Sequence, residues 1–295
     1  MIYVKKKLLM DNLRRAAVIL GLVLILAGVG YTVARFQEYS NITIEHTAEQ
    51  GDTVASTYAE FGGNLLRYTR DGAFYTDFDG SLIWNETYEM GAPVLDVNGG
   101  YGVLYDKNGT SLLILNTAGA MHSMQMNMPI TMARVANGGI VAVLMQDGGN
   151  AYLYMYNASG SVLASGELHA KNSGYPISIA LSTDGTMLCV SLLDLKGGVV
   201  NSTVNFYNFG TAGQDAIDNI VASYSYSDMV IPEVAFMKND RAVAFGDTEY
   251  VIFTNGGRPA VDREIFLEEE VRTLVVRTAL LGEDEKGAFV PLERL

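Results

Sequence analysis

The chain has 295 residues, 49% of them hydrophobic and 18% charged, with a formal net charge of −13. That length is enough for one large domain or two ordinary ones with a buried core, and so small a charged fraction argues against a disordered chain. The acidic balance disfavours nucleic acid as a partner, because negative charge repels a phosphate backbone.

An uncharged apolar run from Ala16 to Ala34 is the first element along the chain. As a helix, its roughly 19 residues would extend about 29 Å, close to the thickness of a hydrocarbon core. Arg35 alone follows the run immediately, whereas five basic residues precede it: Lys5, Lys6, Lys7, Arg14 and Arg15. This bias predicts a cytoplasmic N-terminus. We therefore expect a single-pass protein of the cell membrane, with a basic cytoplasmic segment at residues 1–15 and a transmembrane helix at 16–35.

A cleaved signal peptide is the alternative for the same segment, with cleavage after Ala34. The apolar run is longer than the hydrophobic region of most signal peptides, which favours retention as an anchor. In either case residues 36–50 form a linker and residues 51–295 form an extracytoplasmic domain. Residues 1–35 carry a net charge of +5, so the exported part carries −18 and is distinctly acidic.

The exported part alternates short apolar, aromatic and β-branched runs with turn residues, which is typical of antiparallel β-structure. Asn64 to Tyr68, Ala73 to Phe78 and Ser81 to Trp84 are three such runs, separated by Asp-Gly pairs. Those pairs supply the positive φ angles that tight hairpin turns need. The sequence therefore predicts an all-β domain built from hairpins.

A longer repeat lies above the hairpins, because five similar strands each run into a turn glycine. These glycines are Gly80, Gly119, Gly160, Gly213 and Gly256, spaced by 39, 41, 53 and 43 residues. A four-stranded propeller blade has a period of about 40–45 residues. We therefore predict a β-propeller of about five to six four-stranded blades, with a longer loop around Asp194 to Asn201 or Thr211 to Asn219.

The hexapeptide from Asp79 to Trp84 resembles the pattern, a glycine followed four residues later by tryptophan, that marks blades in quinoprotein-like propellers. With the apolar N-terminal run and the turns at Asp106 to Gly109 and Asn116 to Gly119, the chain resembles a bacterial family of single-pass membrane proteins, family of unknown function 5711. The resemblance implies a propeller-like exterior and a membrane location, and no activity.

The end of the chain offers only half a blade, from Glu264 to Leu280 and a polar tail. A propeller closes by pairing its last blade with a strand from its start, here Thr53 to Tyr58, which removes exposed edges. The family resemblance implies longer chains, so an open fan cut short of closure is the alternative. Leu267 to Leu280 also fits one face of a helix.

Candidate chemistry is sparse, and the sequence assigns no catalytic, cofactor-binding or metal-binding residue. Cys189 is the single cysteine and lies in an alternating strand, while His46, His122 and His169 are scattered, so we expect neither a thiol nucleophile nor the cysteine pair of quinone-dependent dehydrogenases. Two pairs place oxygens at the spacing of calcium loops, but hairpin turns explain such residues equally well: Asp77 with Asp79, and Asp96 with Asn98.

We therefore expect no cofactor, and a binding or scaffolding function for a protein or a glycan at the cell envelope. Many loops on one rigid face favour recognition, and an anchor would concentrate that face at the membrane. The alternative is an extracytoplasmic hydrolase of the glycosidase type, whose carboxylates would converge from different blades into the channel of the propeller. Sequence spacing cannot reveal such convergence.

Overall fold

The computed structural model describes residues 18–31, 55–169, 173–195, 198–237, 241–254, 256–267, 281–283 and 289–291. The chain divides into two units, Met1–Gly51 and Asp52–Leu295. In the first unit, residues 18–31 form an α-helix, α1, whose apolar side chains are mostly exposed. No helix within the described residues has the length and apolar character needed to cross a membrane. The predicted segment 1–15, both ends of the predicted span 16–35 and the linker 36–50 lie outside the described residues.

The described part of the second unit contains five four-stranded antiparallel sheets, and in each sheet consecutive strands are neighbours. Sheet 1 contains β1 (Thr57–Phe61), β2 (Asn64–Tyr68), β3 (Gly72–Thr76) and β4 (Leu82–Thr87). Sheet 2 contains β5 (Pro93–Asn98), β6 (Tyr101–Asp106), β7 (Ser111–Asn116) and β8 (Gly119–Gln125). Sheet 3 contains β9 (Ile130–Val135), β10 (Val141–Asp147), β11 (Asn150–Tyr156) and β12 (Val162–His169).

Sheet 4 contains β13 (Tyr175–Leu181), β14 (Met187–Asp194), β15 (Asn201–Asn208) and β16 (Ile220–Ser227). Sheet 5 contains β17 (Glu233–Met237), β18 (Arg241–Phe245), β19 (Glu249–Thr254) and β20 (Ala260–Phe266). A two-stranded sheet follows, formed by β21 (Leu281–Glu283) and β22 (Phe289–Pro291). The prediction of an all-β domain with repeated four-stranded units is confirmed.

The prediction of the closing strand is corrected by the structure, and the prediction for the segment after sheet 5 lies outside the described residues. Thr57 and Tyr58, predicted to pair with the last blade, instead pair with Tyr68 and Arg67 inside sheet 1. The short Phe61-to-Asn64 turn explains this correction, because a two-residue glycine connection folds β1 directly back onto β2. The helical alternative for Leu267 to Leu280 falls almost wholly on residues 268–280, outside the described residues.

The repeat extends to the irregularities of the sheets. Each of the five sheets has one register shift between its third and fourth strands, where the fourth strand carries an extra residue. Such β-bulges increase the local twist of the ladder. The five copies therefore share the same twisted outer edge, as expected for structural repeats.

The turn after the third strand is stabilised by an Asp or Asn side chain in the first four sheets. The oxygen of this side chain accepts a backbone N–H at 2.7–2.9 Å, from Ser81 to Asp77, from Ala118 to Asn116, from Ser161 to Asn157 and from Gly210 to Asn208. In sheet 5 the Thr254 hydroxyl takes this role for the Ala260 amide. This is the physical basis of the strand-then-turn repeat in the sequence.

Apolar clusters join each sheet to the next, so the sheets pack face to face in chain order, as propeller blades do. Between sheets 4 and 5, for example, the rings of Phe206 and Phe253 are fully buried and meet edge to face at 5.0 Å. Trp84, from the Gly-to-Trp pattern, donates its indole N–H to the Thr117 carbonyl in sheet 2 at 3.0 Å. The first strands β5, β9, β13 and β17 contact one another in succession and form the inner row.

Candidate functional site

A charged cluster lies on the inner row of strands, centred on Arg134 of β9. The Arg134 guanidinium donates from Nε to the Ile179 carbonyl at 3.1 Å and from Nη2 to Glu233 Oε1 at 3.4 Å. Its Nη1 lies 4.0 Å from Asp96 Oδ1. These partners come from β13, β17 and β5, so one side chain contacts sheets 2, 4 and 5 from its place in sheet 3. We call Asp96, Arg134 and Glu233 the axial cluster.

Both carboxylates of the axial cluster are held by further hydrogen bonds. Asp96 Oδ2 accepts the Val135 amide at 2.8 Å, and the Ser178 hydroxyl hydrogen-bonds Glu233. The same Ser178 oxygen accepts the Val234 amide at 3.2 Å. Fixed partners on strands, rather than on loops, hold charged groups in a defined geometry.

Burial raises the pKa of Asp96 and of Glu233, and the nearby Arg134 charge opposes that rise in both. The side chains of Asp96, Arg134 and Glu233 are 26%, 24% and 31% exposed, so each still reaches water. One cation therefore lies between two carboxylates that are easier to protonate than free ones. A polar ligand that enters here meets donors and acceptors together.

The axial cluster lines a cavity of about 230 Å³, together with Asn98, Thr183 and Phe236. Asp96 and Asn98, the pair with calcium-loop spacing, therefore both face this cavity, and Arg134 lies beside the carboxylate. Across the residues described, no group of three or more His, Cys, Asp or Glu side chains is arranged to hold a metal ion. The cavity can recognise a polar group through one guanidinium and two carboxylates.

The other residues considered from the sequence lie elsewhere. Asp77 accepts the Ser81 amide within its own hairpin turn, and Asp79 is exposed in that turn. Cys189 on β14 is 1% exposed, and burial raises the pKa of its thiol.

The histidines are not brought together in the described part of the chain. His122 lies on β8 of sheet 2, and His169 lies on β12 of sheet 3, with its Nδ1 3.6 Å from Glu167 Oε1. His46 is outside the described residues.

Arg134 and Glu233 were not singled out in the sequence. Arg134 interrupts an otherwise apolar run from Met132 to Ala136, and Glu233 precedes the apolar run from Val234 to Phe236. A charged residue inside the first strand of a repeat was therefore the available signal. This signal can be interpreted only once the first strands are known to lie next to one another in the inner row.

Residues 35–282 match the family model described as Family of unknown function (DUF5711). No curated protein is detectably similar in sequence to this chain.

Several solved structures have a similar arrangement of sheets at low identity. Hsv2p of Kluyveromyces lactis is 15% identical, with 73% of this chain and 74% of that one covered and a TM-score of 0.48. The Pan2 WD40 domain of Neurospora crassa is 7% identical, with 70% and 63% covered and a TM-score of 0.46. The hydrazine synthase of Kuenenia stuttgartiensis is 12% identical, with 73% and 68% covered and a TM-score of 0.44. At such identities and TM-scores, no functional argument follows.

Proposed function

The chain belongs to the family of unknown function DUF5711, and we propose that it is a binding module of the cell envelope. In this proposal a single N-terminal helix at residues 16–35 anchors the protein in the membrane. Residues 1–15 remain in the cytoplasm, and the propeller-like domain lies outside, where it binds a glycan or a protein. The observation that carries the binding function is the axial cluster in its cavity.

The chemistry of the axial cluster suits a ligand with several hydroxyl groups. Carboxylates accept hydrogen bonds from hydroxyls, and a guanidinium donates several in a fixed planar arrangement. Strands of three different sheets position Asp96, Arg134 and Glu233. These side chains therefore lose little conformational entropy when a ligand binds. These features favour a glycan, or a polar protein segment, over an apolar ligand. The acidic net charge disfavours nucleic acid.

Isosteric variants test the axial cavity as the binding site. We expect the purified chain to bind members of a bacterial envelope glycan panel, and Asp96→Asn and Glu233→Gln to weaken that binding about tenfold by loss of charged hydrogen bonds. Asp79→Asn is the matched control, because Asp79 is exposed in a turn and should leave binding unchanged. Equal binding by all three variants would exclude the axial cavity.

A protein partner is tested separately, because the same cavity can bind a polar protein segment. Cross-linking in intact membranes followed by purification should recover a defined partner with the native chain, and Glu233→Gln should reduce its recovery while Asp79→Asn does not. Equal recovery of the partner with both variants would show that the partner does not bind at the axial cluster.

The membrane anchor rests on the charge-free run from Ala16 to Ala34 and the five basic residues before it. The exposed apolar surface of α1 supports this proposal, since such a surface needs a lipid or protein environment. External protease added to spheroplasts should digest the domain at 51–295 and leave the basic N-terminus protected. A domain protected in intact spheroplasts and digested only after lysis would contradict the topology.

A hydrolase is the second candidate, and one observation favours it. Asp96 and Glu233 converge on one cavity with raised pKa values, and paired acids of this kind can act as general acid and base. A panel of glycosides and esters tests this directly. Turnover that Glu233→Gln abolishes and Asp79→Asn preserves would replace the binding function with catalysis, whereas ligand binding without turnover would retain it.

A further inference from the structure

A second cavity, of about 330 Å³, lies between sheets 3 and 4 and shares no lining residue with the axial cavity. Its volume falls in the range of small-molecule pockets, about 300–1,000 Å³. Apolar side chains from both sheets line it: Leu153, Met155, Ala164, Leu168, Phe209 and Ile220. A ligand with an apolar body therefore fits its walls.

Two buried polar atoms at this cavity have no hydrogen-bond partner in the described structure, the Tyr207 hydroxyl and Asn205 Oδ1. Tyr207 is 7% exposed, and buried polar groups in proteins are nearly always paired. Burial raises the pKa of the Tyr207 hydroxyl, and the adjacent Asn205 side chain opposes the rise. Both residues line the cavity, so a bound molecule can supply the missing partners.

A carboxylate stands at the rim of the same cavity. Asp218 is exposed in the short 3-10 turn Ile217–Asn219, and its charge further raises the pKa of Tyr207. Glu167 also borders the cavity, but its carboxylate already accepts the Asn150 amide at 2.9 Å. Within the described structure no lysine or arginine lines this cavity. Both charged side chains of the described lining, Asp218 and Glu167, are acidic, which favours a cation over an anion.

We propose that this cavity, the amine pocket, binds a small primary amine with an apolar body. An ammonium group has three donors and no acceptor, which complements the three oxygens of Tyr207, Asn205 and Asp218. The apolar walls would cover the hydrocarbon part. The proposal does not depend on the axial cluster, so it stands whether or not a glycan or a protein binds there.

Titration calorimetry with hexylamine tests the amine pocket. We expect saturable binding near pH 7, at least about tenfold weaker binding of hexan-1-ol, which lacks the charge, and no binding of hexanoate. Nα-acetyl-lysine amide distinguishes the two possible sources of the ammonium group, a small amine and a lysine side chain of a partner protein. Tighter binding of this lysine derivative than of hexylamine would assign the pocket to a partner's side chain and overturn the small-amine proposal.

Single substitutions test whether Tyr207 and Asp218 contact the ligand or have only a structural role. Tyr207→Phe and Asp218→Asn should each weaken hexylamine binding about tenfold, while Asp215→Asn, in the same segment but not in the lining, should leave it unchanged. Tyr207→Phe should also keep or raise the melting temperature, because the hydroxyl it removes is unpaired in the free protein. Absence of hexylamine binding, or binding unaffected by both pocket variants, would overturn the proposal.

Discussion

Replacement of Arg134 with Met removes a side chain of sheet 3 that contacts strands of sheets 2, 4 and 5. Asp96 and Glu233 then remain close to each other without their cation. Loss of one partner from a buried ion pair costs about 3–5 kcal/mol, because a charge is left uncompensated. The three side chains are 24–31% exposed, so water screens part of this cost. We expect a loss of about 2–3 kcal/mol in unfolding free energy at pH 7.

The matched control is Arg241→Met, which breaks the ion pair of Arg241 on β18 with Asp262 on the outer strand β20 of sheet 5. These side chains are 42% and 34% exposed, so we expect a loss of only about 0–1 kcal/mol. Urea unfolding followed by circular dichroism measures both losses. An Arg134→Met loss no larger than that of the control would refute the assignment of Arg134 as the link between sheets.

The pH dependence of Arg134→Met provides an independent check. Burial raises the folded-state pKa of Asp96 and Glu233 above the unfolded values of about 4, so the folded state holds these protons more tightly. Their contribution is therefore fully present below about pH 4 and is lost as pH rises through the folded pKa. Without Arg134 both pKa values rise further. Between about pH 4 and pH 7 the variant therefore loses more unfolding free energy than the native protein does. The difference in unfolding free energy between the native protein and Arg134→Met should narrow on acidification, and a difference that widens would contradict this reasoning.

Three further predictions concern the core, a turn and the thiol. Phe206→Ala should cost about 3–5 kcal/mol in urea unfolding because its ring is fully buried, and a cost under about 1 kcal/mol would contradict the packing between sheets 4 and 5. Asn157→Ala should lower stability by about 1–2 kcal/mol, whereas Asn157→Asp, which keeps the acceptor for the Ser159 and Ser161 amides, should be nearly neutral. Cys189 should react with a thiol reagent only at the rate of unfolding, since it is buried and its pKa is raised; rapid labelling of the native chain would disprove this.

The sheets were predictable because the turn chemistry is local. The strand expected around Cys189, for instance, is β14, bounded by the Asp184-Gly185 turn. One longer loop was expected at either of two positions, around Asp194 to Asn201 or Thr211 to Asn219. Six residues separate β14 from β15, and two short 3-10 turns lie between β15 and β16, at the two predicted positions.

The axial cluster was not predictable in the same way, because its members converge only in three dimensions. Arg134 and Glu233 are 99 residues apart, and each looks like one charged residue beside an apolar strand. The closing strand was misassigned for a related reason. Thr57 and Tyr58 satisfy the alternating pattern equally well in a first or a last sheet, and only the Gly62-Gly63 turn decides between them.

Arrays of repeats ordinarily couple each unit only to its immediate neighbours, so local opening can begin at any of them. The Arg134 contact with Glu233 joins sheets 3 and 5, which are not consecutive in the array. Sheets 2 to 5 should therefore exchange their amide hydrogens as one cooperative unit. Sheet 1 provides no member of the axial cluster, and its described apolar cluster joins it to sheet 2 alone, so its amides should exchange first.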